Sequence, residues 1–90
     1  MSKIYIVQYD DNESYTRAFT ELKLAARYVE NIISSFDFKA RTNKNFDYSV
    51  DSIYLESYKK ELNKKTLLFS IDYPSLTIMK SKLDYIYLKN

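Results

Sequence analysis

Residues 3–9, KIYIVQY, set Ile4 and Ile6 on one face of an extended chain and Tyr5, Val7 and Tyr9 on the other. Apolar groups on both faces predict an interior strand, because a strand with one wet face puts polar side chains at every second position. Residues 10–14, DDNES, are polar turn formers, and strand-like composition resumes over residues 15–19, YTRAF. The two runs predict a hairpin closed by a loop over residues 10–14. Thr20 then offers an N-cap, and Glu21 suits the positive end of a helix dipole. Leu22, Ala25, Ala26, Val29, Ile32, Ile33 and Phe36 follow at spacings of three and four, the sharpest periodic signal in the chain. They predict a helix over residues 21–35 with one apolar stripe, leaving Glu21, Lys23, Arg27, Glu30, Asn31 and Ser34 toward water.

Beyond Phe36 the pattern loosens. Phe38 and Ala40 alternate with charged neighbours, residues 42–45 (TNKN) read as a polar turn, and Phe46, Tyr48 and Val50 alternate again. These fit two short strands or an ordered loop. Residues 52–57, SIYLES, have strand composition, although Tyr54, Tyr58 and Leu62 also fit a helix running to Lys65; a strand followed by a lysine-rich connection over residues 58–65 is the favoured arrangement. Residues 66–73 predict a strand that Pro74 stops, since proline cannot donate to a ladder. Ser75 could cap a short helix carrying Leu76, Met79 and Leu83, and residues 83–88 predict a closing strand. The order points to one α+β domain over residues 1–90, a small mostly antiparallel sheet of four to six strands with one main amphipathic helix packed on one face.

Ten tyrosines and five phenylalanines exceed what one core of 90 residues accommodates, so some tyrosines are expected at the surface. An apolar ring with a wet hydroxyl is tolerated there and is common at protein interfaces. Four absences narrow the chemistry further: there is no Gly, Cys, His or Trp. Lack of Cys and His removes disulfides, thiol nucleophiles, imidazole bases and the common zinc ligand sets. Lack of Gly removes phosphate-cradling loops and the dinucleotide fingerprint, and it leaves no easy residue for turns with positive φ. No cofactor is expected, and no carboxylate pair can be assigned to acid and base work, so a non-enzymatic protein is expected. An EF-hand-like calcium loop would use Asp10, Asn12, Ser14, Thr16 and Glu21, but it needs Gly where Tyr15 stands and a preceding helix where a strand is predicted. The first nine residues hold an apolar run of only four, Ile4 to Val7, and no stretch approaches the roughly 20 apolar residues of a membrane span. A cytoplasmic protein without membrane contact is expected.

Charge is uneven. Residues 1–38 carry four basic and six acidic side chains, for −2, whereas residues 39–90 carry ten and six, for +4. The basic clusters Lys39, Arg41 and Lys44, then Lys59, Lys60, Lys64 and Lys65, then Lys80 and Lys82, are interleaved with Phe38, Phe46, Tyr48 and Tyr58. Single-strand nucleic-acid binders combine the same chemistry, phosphate contacts with base stacking. Lysines also guard turns and exposed strand edges against aggregation.

In its size, its KIYIV start, its wealth of Lys, Asn, Ile and Tyr and its lack of Cys, His and Trp, the chain is similar to accessory proteins of bacteriophages and mobile elements with AT-rich genomes. The anti-CRISPR proteins are the best known of that class. The resemblance implies a non-catalytic inhibitor that binds a host protein or ribonucleoprotein complex. A net charge of +2 departs from the acidic DNA mimics common among such inhibitors. Arg41, Lys44, Phe46, Tyr48, Tyr54, Tyr58, Lys60 and Lys64 are the expected partner-binding residues, as exposed aromatics near basic groups dominate interface energies. Direct binding of single-stranded nucleic acid by the same lysine and aromatic surface is the alternative, and a homodimer is compatible with either.

Overall fold

The computed structural model describes residues 3–10, 13–35, 38–39, 48–72 and 74–82. Strands β1 (Lys3–Asp10) and β2 (Ser14–Phe19) precede helix α1 (Leu22–Ile33). Helix α2 (Val50–Leu62) and strands β3 (Leu67–Asp72) and β4 (Ser75–Lys82) follow. The fold is α+β, with a four-stranded antiparallel sheet in the order β2-β1-β4-β3 and both helices on the same face.

The first hairpin and the first helix form where the residue pattern places them. β1 is interior, paired with β2 on one side and β4 on the other. Its Tyr5 and Val7 enter the core, Tyr9 packs against that core half-buried, and Ile6 points to the opposite face. Asp10 already pairs with Ser14, so the ladder runs further into the turn than composition suggests. α1 buries Leu22, Ala25, Ala26, Val29 and Ile33. Its N-cap is Glu21 and not Thr20, and no side chain caps it.

Two segments depart from expectation. Residues 52–57 are helical, the middle of α2, and not a strand. Local chemistry decides this: the Ser49 and Ser52 side chains each accept a hydrogen bond from the other's backbone N–H, at 3.1 and 3.0 Å, a reciprocal cap that starts the helix at Val50. Asp51 in the first turn and Lys59 and Lys60 in the last suit the dipole. Ile53 and Ser57, one turn apart, are buried, and the Ser57 hydroxyl donates to the Ile53 carbonyl at 2.7 Å, so a polar atom in the core is satisfied. The small Ala25, Ala26 and Ser57 side chains suit the close packing of α1 on α2. The helix ends in a left-handed residue, Lys64 at φ 59°, a position that usually takes glycine. In a chain without glycine, Lys64 fills it, and the Lys65 N–H closes the turn on the Lys60 carbonyl at 2.9 Å.

Residues 75–82 form strand β4 and not a helix begun by Ser75. Leu76 and Ile78 are both fully buried, a spacing of two that only a strand can put on one face. β3 carries a bulge between Leu67 and Phe69, opposite Met79 and Ile78. The extra residue lets Leu68 and Phe69 both enter the core while Leu67 stays on the outer face beside Met79. That outer face has an apolar row crossing all four strands, Ala18, Ile6, Met79 and Leu67, and next to it a row of neutral polar residues, Thr16, Gln8, Thr77 and Ser70. The predicted strand over residues 83–88 and the turn over residues 42–45 lie outside the described residues.

Candidate functional site

α1 lies between α2 on one flank and β2 on the other, and an open groove runs along each side of it. The first groove, about 440 Å³, is lined by Tyr5 from β1, residues 20–23 at the start of α1, and Tyr54, Tyr58 and Glu61 from α2. Tyr54 and Tyr58, one helical turn apart, stack with ring centres 5.9 Å apart, and the Lys23 ammonium stands 6.0 Å from the Tyr54 ring. At the floor, the Tyr5 hydroxyl donates to Glu61 Oε2 at 2.8 Å. The same oxygen faces Lys3 at 3.7 Å and Lys80 at 3.9 Å, so β1, β4 and α2 meet at one carboxylate.

Burial, the hydrogen bond to Glu61 and the nearby negative charge all favour the protonated phenol, and the Tyr5 pKa is pushed up from 10.0 to about 12. Tyr5 is therefore a hydrogen-bond donor and no base at neutral pH. A folded-state pKa above the unfolded one gives stability that is complete below pH 10 and lost as pH rises through 12. We expect the stability of the wild-type protein to fall more steeply than that of Tyr5→Phe between those values, by about 2 kcal/mol, in urea melts at pH 8, 10 and 11.5. Parallel curves would show that Tyr5 carries no such linkage.

The outer side of α2 continues this surface. Leu55, Tyr58 and Leu62 are 52, 41 and 62% exposed and follow spacings of three and four, so they form one apolar stripe on the side of the helix away from Ile53 and Ser57. Tyr58 belongs to both the stripe and the groove, which makes Tyr54, Tyr58, Leu55 and Leu62 one continuous aromatic and aliphatic surface. Exposed Lys59 flanks it.

Of the residues expected to bind a partner, Tyr54 and Tyr58 come together in this surface. Lys60 is half-buried on another side of α2, and Lys64 is exposed at the helix end. Tyr48 is half-buried, its ring edge-on to Phe69 at 5.3 Å, and so helps to close the core. Arg41, Lys44 and Phe46 lie outside the described residues. Pattern reading missed Leu55 as a surface residue, although its spacing to Tyr58 and Leu62 carried the signal once residues 52–57 were allowed to be helical. It also missed Tyr5, Lys23 and Glu61, which only the tertiary fold brings together.

The second groove, about 390 Å³, is lined by Arg17 and Phe19 from β2 and by Leu24, Arg27, Tyr28 and Asn31 from α1. Among the described residues no cluster of acidic side chains could hold a metal ion, and no helix is long and apolar enough to cross a membrane. The chain matches no protein-family model, no curated protein and no solved structure.

Proposed function

We propose that this chain is a non-catalytic binding protein that docks on a protein partner through the outer side of α2 and the tyrosine groove beside it. The observation that carries the reading is the apolar stripe Leu55, Tyr58 and Leu62, turned to solvent on a helix whose opposite side is already packed. An isolated exposed leucine is ordinary, but three large apolar side chains in one line are what a docking helix presents. The adjoining Tyr54 and Tyr58 rings add rigid contact area at low entropic cost, with Lys23 and Lys59 at the rim to orient a partner. The resemblance in size and composition to phage inhibitors of host machines supports a host protein or ribonucleoprotein complex as the partner class, and with it the reading of the protein as a cytoplasmic inhibitor of the anti-CRISPR type.

The test is a capture experiment from host lysate with the wild-type chain and Tyr58→Ala side by side, each with and without nuclease. A stoichiometric protein retained after nuclease by the wild type, and bound about tenfold or more weakly by Tyr58→Ala, is the expected result. Retention of nucleic acid alone, lost on nuclease treatment and falling steeply with salt, would replace this reading with single-strand binding by the lysine and tyrosine surface.

A further inference from the structure

The groove on the β2 side of α1 gathers cations that nothing on the chain neutralises. Leu24, Arg27, Tyr28 and Asn31 follow at spacings of three and four and so line one flank of the helix, with Arg17 and Phe19 of β2 across from them. Phe19 and Tyr28 are half-buried, whereas Arg17, Leu24, Arg27 and Asn31 are exposed.

The guanidinium carbon of Arg17 is 5.5 Å from the centre of the Phe19 ring and 5.2 Å from that of Tyr28, and the two rings are 5.4 Å apart. Contact with ring faces steadies a guanidinium while leaving its N–H fork available. Among the described residues neither Arg17 nor Arg27 has a carboxylate within salt-bridge distance, and neither side chain takes part in a hydrogen bond. Two like charges in one small groove, both with unspent donors, form an arrangement that an anion relieves. Arg17, pointing to the helix side of an edge strand, also guards that edge against pairing with another chain. That role asks nothing of Arg27 or Asn31, which belong to α1 and line the same groove.

From this juxtaposition we propose that the groove between β2 and α1 binds a phosphorylated side chain of a protein partner, its phosphoryl group held between Arg17 and Arg27. A phosphomonoester carries about −1.5 to −2 charges at neutral pH and three acceptor oxygens, which suits two guanidinium forks, whereas a single fork satisfies a carboxylate. Leu24 adds an apolar contact at one end and the Asn31 amide a hydrogen-bonding group at the other, about 10 Å apart along the helix. The extent of the groove selects the source. At about 390 Å³ and open to solvent, it takes one projecting side chain but does not enclose a free phosphate ester, and small-molecule sites bury most of their ligand's surface. A nucleic-acid strand needs bare ring faces and a track of cations, and here Arg17 already stands over both rings. The site uses no residue of the α2 surface, so it stands or falls separately from the proposed docking through α2.

The probe is a fluorescein-labelled peptide, GSApYASG, where pY is phosphotyrosine, read by anisotropy against the full chain. Saturable binding is expected, weaker by about tenfold or more for unphosphorylated GSAYASG, for Arg17→Ala and for Arg27→Ala, and unchanged for Tyr58→Ala. Arg27 is exposed and lies on α1, away from the strand edge, so Arg27→Ala should keep the wild-type urea midpoint, which separates lost binding from lost fold. Equal binding of GSAYASG, undiminished binding by Arg27→Ala, or no binding of GSApYASG at millimolar concentration would each overturn the proposal. Binding of phenyl phosphate without binding of the peptide would overturn it in favour of a small ester. Tighter binding of a thymidine octanucleotide than of GSApYASG would overturn it in favour of nucleic acid.

Discussion

Phe69→Ala is expected to bring the protein to the edge of unfolding. The ring is fully buried beside Leu68 at the β3 bulge, faces Ile78 across the ladder and carries Tyr48 edge-on. Truncating such a ring costs about 3–5 kcal/mol in lost transfer energy and cavity, and Tyr48 also loses its platform. A domain this small typically stands at the lower end of the roughly 5–15 kcal/mol range, so the loss consumes most of the stability. In urea the midpoint should fall by half or more with little change in slope. Leu67→Ala is the informative control. Without a bulge, residues 67 and 69 would share a face and both substitutions would be severe. With the bulge, Leu67 is 44% exposed on the outer face, and its truncation should cost under about 1 kcal/mol. Comparable losses from the two variants would contradict the register of β3.

The contrast between α1 and α2 shows which parts of this fold are legible in the residue pattern. α1 buries a single stripe, so its apolar residues fall at spacings of three and four with polar residues between them. α2 buries Ile53 and the polar Ser57 on one side and exposes Leu55, Tyr58 and Leu62 on the other. Apolar residues on both sides of a helix cancel its periodicity, and the run Ile53, Tyr54, Leu55 then resembles a strand. The feature that hides α2 as a helix, its exposed apolar stripe, is the same one on which the proposed docking rests. β4 was obscured differently. Leu76 and Met79 stand three apart and suggest a helix, while the pair that matters, Leu76 and Ile78, is separated by a threonine at home in either state. The Tyr5, Glu61, Lys3 and Lys80 cluster was beyond reach of pattern, because its members are spread from one end of the sheet-forming sequence to the other and meet only once the sheet order is known.

Leu55→Glu combined with Leu62→Lys should separate binding from folding more sharply than any single change. Both leucines face water, so replacing them removes little packing, and Glu and Lys have helix propensities close to that of Leu. The charges also suit their places: Lys at position 62 joins the basic last turn that already holds Lys59 and Lys60, at the negative end of the dipole. The fold should therefore keep its stability to within about 1 kcal/mol, measured as an unchanged urea midpoint. Docking should suffer far more. A stripe covered by a partner would now bury two charges for which that partner has no counter-charge, in addition to losing the transfer energy of two leucines. Unpaired buried charges cost several kcal/mol each, so affinity for a captured partner should drop at least about 1,000-fold, or roughly 4 kcal/mol. A partner that bound this variant as well as the wild type would have to contact some other part of the molecule, and α2 would lose its role as the docking helix.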